Sequence, residues 1–266
     1  MKRLLSFSMF CFAMAIAPLA HCDSVVIHGD FVTTEGNGGG ESTALGRFSN
    51  TVLTVYNESV VSAAGINPGD TLTGLAFRVD GGTDPAPNFT VDNYIIELGH
   101  SLNSAGALDG DDFASNFDGG PTTVRSGALD FRAADYATGN PNNSTGTANA
   151  FGPEIAFDNF FTYTGGDLLI RYTHTDPLAL DGTLTTSRAD SITTTFDSPD
   201  FSEPGVHTLF GEGFDANVRF TQSFGSALTV APILQFSVTP VPEPTSAVLL
   251  MGIGMIGVAA RRRSQV

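Results

Sequence analysis

The side chains in this sequence best suited to chemistry are carboxylates. Asp109, Asp111 and Asp112 crowd the segment Asp109-Gly110-Asp111-Asp112, Asp118 follows closely, and Asp80 and Asp84 bracket a second loop. Clustered carboxylate oxygens are what a hard cation such as calcium binds. The spacing is not that of an EF-hand, because the cluster lacks the oxygen ligand at loop position five and the glycine at six. Two readings of Asp109, Asp111, Asp112 and Asp118 therefore stand side by side: a solvated acidic turn and a calcium-stabilised loop. No other cofactor is implied.

Nucleophilic chemistry has less to work with. Gly99-His100-Ser101-Leu102-Asn103 approaches a nucleophile elbow, but Asn103 replaces the second glycine and no helical pattern follows. The segment reads as a polar loop after a strand. His28, His174 and His207 are isolated, without the paired spacing that holds zinc. Cys11 and Cys22 both fall within residues 1–22, so the rest of the chain has neither a thiol nucleophile nor a disulfide framework. The expectation is a protein that is not an enzyme.

A different chemistry, peptide-bond processing, is suggested by the tail, VPEPTSAVLLMGIGMIGVAARRRSQV. Pro242 and Pro244 flank Glu243; they remove two backbone donors and hold the chain extended, so no helix passes back through this hinge. Residues 245–260 follow as an apolar run that would make a helix of ~24 Å, marginal against a hydrocarbon core of ~30 Å. Arg261, Arg262 and Arg263 close it. The positive-inside rule places such a cluster on the cytoplasmic side, which puts the body outside the cytoplasm. A buried core helix is the other reading of an apolar run this short, and the arginine cluster weighs against it.

Breaker, helix and basic cluster in this order resemble the PEP-CTERM sorting signal of Gram-negative bacteria. The resemblance covers only residues 240–266. It implies an exported protein handed to exosortase, a membrane-embedded cysteine transpeptidase-like enzyme, with processing near Pro242, Glu243 and Pro244. It also implies transit through the inner membrane on a C-terminal anchor, then release to the cell envelope or the extracellular space, in bacteria that make extracellular polysaccharide and biofilm.

The beginning of the sequence fits the same route. Residues 1–22 read as a secretory signal peptide, with Lys2 and Arg3 ahead of an apolar stretch and small residues near Cys22, so the secretion machinery is a partner. A lipobox ending at Cys22 is the lesser alternative, because His21 stands where a small residue belongs. Without its two ends the chain keeps seven basic residues against twenty-seven acidic ones, a charge near −20, and no lysine. Such a charge favours solubility and repels nucleic acid.

Residues 23–239 carry turn residues between short runs of Val, Ile, Phe, Tyr and Thr, the pattern of an all-β fold. The length suits a single β-sandwich, jelly-roll-like. Residues 25–27, 31–33, 51–61, 72–79, 89–98, 122–131, 154–163, 168–173, 183–186, 191–196, 206–210, 216–224 and 228–238 are candidate strands, with residues 154–170 reading as a hairpin. Asn67-Pro68-Gly69-Asp70 is a turn. Residues 101–117 are a surface excursion or one short helix, and residues 137–150 a polar loop. Leu234, Phe236 and Val238 alternate as one apolar face, and most phenylalanines should be core.

The leading reading is an exported structural or binding protein without catalysis. The alternative is a carbohydrate-binding module or carbohydrate-acting enzyme on a jelly-roll, which would need exposed aromatics and, for hydrolysis, two carboxylates about 5–9.5 Å apart.

Overall fold

The computed structural model describes residues 22–38, 44–45, 48–81, 86–138, 146–180, 187–195, 205–212, 214 and 228–241. Residues 1–21 of the signal peptide expected at residues 1–22, Asp84, the candidate strands at residues 183–186 and 216–224, and everything from Pro242 onward lie outside them. So does half of the polar insertion at residues 137–150, namely residues 139–145. The chain divides into two compact units, residues 22–241 and a second of residues 1–21 with 242–266.

The body is mostly antiparallel β-sheet. One sheet has the order β1 (Asp23–Val26), β14 (Gln235–Thr239), β3 (Thr71–Ala76), β8 (Ile155–Thr162). The other has the order β12 (Val206–Glu212), β2 (Asn50–Tyr56), β9 (Leu168–His174), β5 (Tyr94–Ser101), β6 (Phe117–Arg125). Two small sheets accompany them: β10 (Leu178–Ala179), β4 (Phe89–Val91) and β7 (Leu129–Phe131), and the pair β11 (Ser191–Thr195) with β13 (Leu228–Pro232). The two large sheets share one apolar core: Val52, Tyr56, Ile96 and Ile170 from one, Leu72, Leu75, Phe236 and Val238 from the other. Tyr56 reaches across and donates its hydroxyl to the carbonyl of Pro232 at 3.0 Å, while Phe77 meets Tyr172 edge-on at 6.1 Å.

The alternation expected from Leu72 to Val79 changes phase partway. In β3 the pairing with β14 slips, so that Leu72 faces Val238 while Gly74 faces Ser237, leaving Thr73 as an extra residue. A bulge of this kind shifts side-chain parity by one. Leu72 on one side of it and Leu75, Phe77 and Val79 on the other consequently all point into the same core.

Three further expectations are corrected. Residues 51–61 do not form one strand: β2 ends at Tyr56 and a short helix α1 (Glu58–Ala63) follows. Asn57 holds the extended conformation of a helix-capping position, and the carboxylate of Asp167 accepts the Glu58 amide at 2.8 Å. Residues 31–33 belong to no strand and adjoin a 3-10 turn at Gly29–Phe31. Residues 154–170 are not a hairpin either, because β8 and β9 lie in different sheets. Gly165 and Gly166, at φ 98° and 83°, carry the crossing, and the Tyr163 hydroxyl donates to the Gly166 carbonyl.

The five-stranded sheet is buried on both sides. Its outer face presents Leu53, Val55, Leu169 and Leu209, and the segment after β5 folds over them with Phe113, Phe117, Ala105 and Leu108. That segment contains one 3-10 turn, Ala114–Asn116. Its hub is Asn116, fully buried. The Asn116 amide donates to the carbonyls of Asp109 at 2.9 Å and Asp112 at 3.2 Å, and its oxygen accepts from the Asp109 amide at 2.7 Å and from Asn103 at 2.9 Å. Replacing Asn116 with alanine orphans these groups together. We expect Asn116→Ala to destabilise the body by about 2–3 kcal/mol in denaturant unfolding, with the segment becoming protease-sensitive before the sheets unfold.

Candidate functional site

The acidic residues singled out in the sequence occupy the turn that Asn116 organises. Asp109 accepts the amides of Asp111 at 2.8 Å and Asp112 at 3.2 Å and the hydroxyl of Ser115 at 3.0 Å; these bonds hold its carboxyl below the usual range. Asp112 accepts the amide of Ala114 at 3.0 Å. Asp118 lies on β6 opposite His100. Asp109 and Asp112 thus satisfy the turn's own donors.

His100 and Ser101 do not form a nucleophile–base pair. The Ser101 hydroxyl is turned into its own loop, 2.6 Å from the carbonyl of Asn103, while His100 Nε2 meets the Thr164 hydroxyl at 2.8 Å. His174 stacks on Tyr94 at 5.6 Å, and the ring nitrogen of His207 accepts the Gly106 amide at 3.1 Å. Two aromatic side chains, Phe160 and Phe214, are exposed among the described residues, at 64% and 39%.

His28 takes a left-handed backbone, φ 68°, and packs against Tyr56 and Phe31. Burial pushes its pKa down to about 4, against a smaller upward pull from Asp30. A histidine with a depressed folded pKa contributes stability that is complete above pH 6.5 and is lost as pH falls towards 4, because the unfolded chain binds the extra proton. Comparison with His28→Asn, which tolerates the same backbone, isolates this component. We expect it to reach on the order of 3 kcal/mol across that window in pH-dependent unfolding.

A different set of charges meets where the sequence gave little warning. Glu35, Asp80 and Asp190 bring carboxylate oxygens within 4.8 Å of one another, and among the described residues this is the one such group of three acidic, histidine or cysteine side chains. Arg78 lies among them, fully buried. Its guanidinium donates to Asp190 from Nε at 2.6 Å and from a terminal nitrogen at 2.5 Å, and to the carbonyl of Thr34 at 2.8 Å. The ring of Phe151 covers it at 5.0 Å.

The backbone is built to close on this cluster. Val79 bridges to Ala189, the Asp80 amide donates to the Arg188 carbonyl at 2.9 Å, and the Asp190 amide donates to the Arg78 carbonyl at 2.9 Å. From the other side the Gly36 amide donates to Asp190 at 3.0 Å and the Gly38 amide to the Ser191 carbonyl at 2.8 Å. A Cβ at Gly36 would run into that same Ser191 carbonyl, so only glycine fits there.

Arg78 is a lone charge in the run from Leu72 to Val79, and nothing local showed what it would pair with. Glu35 and Asp190, 155 positions apart, carried no local sign of each other. Removing Arg78 leaves a buried carboxylate uncompensated. We expect Arg78→Met to cost about 3–5 kcal/mol of stability in denaturant titration, and the double variant Arg78→Met/Asp190→Asn to recover part of it.

The tail is approached through β14. Leu234, Phe236 and Val238 are buried as their alternation indicates. Two residues past β14, the Val241 amide donates to Asp70 at 3.1 Å. The other Asp70 oxygen accepts the Asn67 amide at 2.7 Å and closes the turn at Gly69, φ 100°. The Val241 side chain lies over Gly69. The body therefore holds the chain up to the residue before Pro242. Among the described residues no helix is long and apolar enough to cross a membrane.

No curated protein and no solved structure matches the chain. Residues 240–263 match the family model described as the PEP-CTERM protein-sorting motif. With its breaker, apolar run and arginine cluster contained in that match, the chain ends in a PEP-CTERM sorting signal, the mark of an exported protein passed to exosortase.

Proposed function

We propose that this protein is a non-catalytic structural or binding component of the cell envelope or extracellular matrix, delivered there by a secretory signal and processed by exosortase at Pro242 to Pro244. The observation that carries the reading is the sorting motif at residues 240–263. Its placement adds to it: Pro242 comes directly after Val241, which Asp70 pins to the body. A protease or transpeptidase needs an extended substrate, and the two prolines flanking Glu243 favour that conformation.

The body suits a life outside the cell. It is strongly acidic, free of internal cysteine, and rich in sheet. Extracellular polysaccharide is the proposed neighbour in the matrix, and carboxylates on both can be bridged by divalent cations.

The test is expression of the full chain in a host with an active exosortase, alongside Pro242→Ala/Pro244→Ala and a chain ending at Val241. The full chain should appear as a processed, exported product. The double-alanine variant should accumulate as unprocessed precursor in the membrane fraction, and the truncated chain should be exported without a membrane stage. Full chain that stays unprocessed in the cytoplasm would overturn the reading.

A further inference from the structure

Among the described side chains, the buried cluster around Arg78 carries more negative than positive charge. Glu35, Asp80 and Asp190 supply three negative charges and Arg78 one positive, all from side chains sealed at 2%, 7%, 0% and 0% exposure. Both oxygens of Asp190 are engaged, one by Arg78 and the other by the Gly36 amide. Glu35 accepts the Gly81 amide at 2.6 Å on one oxygen, but its other oxygen, Oε2, meets no donor. A carboxylate oxygen withdrawn from water without a donor is costly unless something positive reaches it.

A proton and a cation are the two candidates. One shared proton would leave the cluster at a net −1, whereas a divalent cation neutralises the surplus of two. We propose that Glu35, Asp80 and Asp190 bind one divalent cation of the calcium class. The donors are oxygens alone, the choice of calcium and magnesium over softer metals that seek nitrogen and sulfur. Calcium's larger and more adaptable shell suits a site of irregular loops better than the strict octahedron of magnesium. Burial first, then the neighbouring Asp190 charge, push the Glu35 carboxyl up to about 7, and burial raises Asp190 against the pull of Arg78. Burial is the larger cause in both.

The architecture around the site agrees. Glu35 comes from the segment after β1, Asp80 from the chain leaving β3, and Asp190 from the residue preceding β11. Gly36 and Gly38 let the first of these lie against the third, and the Ser191 hydroxyl beside them is buried without a partner. An ion here ties together three segments that converge from the ends of β1, β3 and β11. The Asp109 turn lacks such a feature, because Asp109 and Asp111 lie exposed and no carboxylate oxygen of the turn is buried without a donor. The proposal does not depend on the sorting of the tail.

Purified full-length chain in detergent, at about pH 8 so that the carboxyls favour the ionised form, is melted in chelator and in ~5 mM calcium, and titrated calorimetrically. We expect a Tm higher by about 3–6 °C with calcium and a stoichiometry of one ion. Glu35→Gln should lose the calcium shift and melt above the wild type in chelator, since it removes surplus charge at constant shape. Asp109→Asn should keep the full shift. If Glu35→Gln fails to fold, Asp80→Asn takes its place with the same readouts. Absence of both shift and heat in the wild type overturns the proposal, even if Glu35→Gln melts higher, because a proton alone then relieves the cluster. A shift that survives Glu35→Gln or disappears in Asp109→Asn also overturns it, placing the ion elsewhere.

Discussion

The pairing of Arg78 with Asp190 is the contact on which the closed end of this body depends. It fixes the chain that leaves β3 against the chain that enters β11, and through Thr34 and Gly36 it secures the segment that follows β1. Three stretches, two of them also bridged through their backbones at Val79 and Ala189, are thereby joined in the interior. Apolar packing alone would bury them without specifying their register. A guanidinium with a fixed fork of donors tolerates few arrangements, so the pair selects one. Its energetic worth as an isolated ion pair is modest, since desolvation offsets most of the attraction. Its structural consequence is that every other charge in the cluster must be held where Arg78 puts it.

The same economy governs the outer face of the five-stranded sheet. A sheet with apolar residues on both faces must find a cover for each. The inner face is covered by the other large sheet, and the outer by the segment between β5 and β6 wound around Asn116. The acidic turn at Asp109 is part of that cover. Its carboxylates cap amides of a loop too short of regular structure to satisfy them otherwise.

What the residues announced and what they concealed divide along local and non-local lines. The alternation of Leu234, Phe236 and Val238, the turn at Asn67 to Asp70, and the strands β8 and β9 were legible because each depends on neighbours in sequence. The parity change in β3 was not, because Thr73 is extra only relative to a partner strand at residues 235–239. The helix after Tyr56 was concealed for a related reason. Val60 and Val61 favour strand by propensity, and the amide at Glu58 is satisfied by Asp167 from far along the chain. The apparent hairpin at residues 154–170 shows that a good turn sequence specifies a reversal but not a shared sheet. Glu35, Arg78 and Asp190 are the extreme case: each is ordinary alone, and only their meeting is informative. The sorting motif lies at the other extreme, since its meaning is carried by a contiguous order of residues and needs no fold to be read.

Motif and fold nevertheless bear on each other through β14. That strand sits between β1 and β3, with Asp23 opposite Val238 in antiparallel register. The first residues of the body and the last are therefore neighbours in one sheet. Pairing of β1 cannot be completed until the chain's final strand is present, which makes this contact the longest loop the fold has to close. On export from the N-terminal end, the sheet stays unfinished until residues 235–239 have crossed, and the segment that follows them is the apolar run and arginine cluster of the sorting tail. The order of the sequence, body then sorting motif, thus matches the order in which the sheet can be completed, because β14 precedes the Pro-Glu-Pro of the motif.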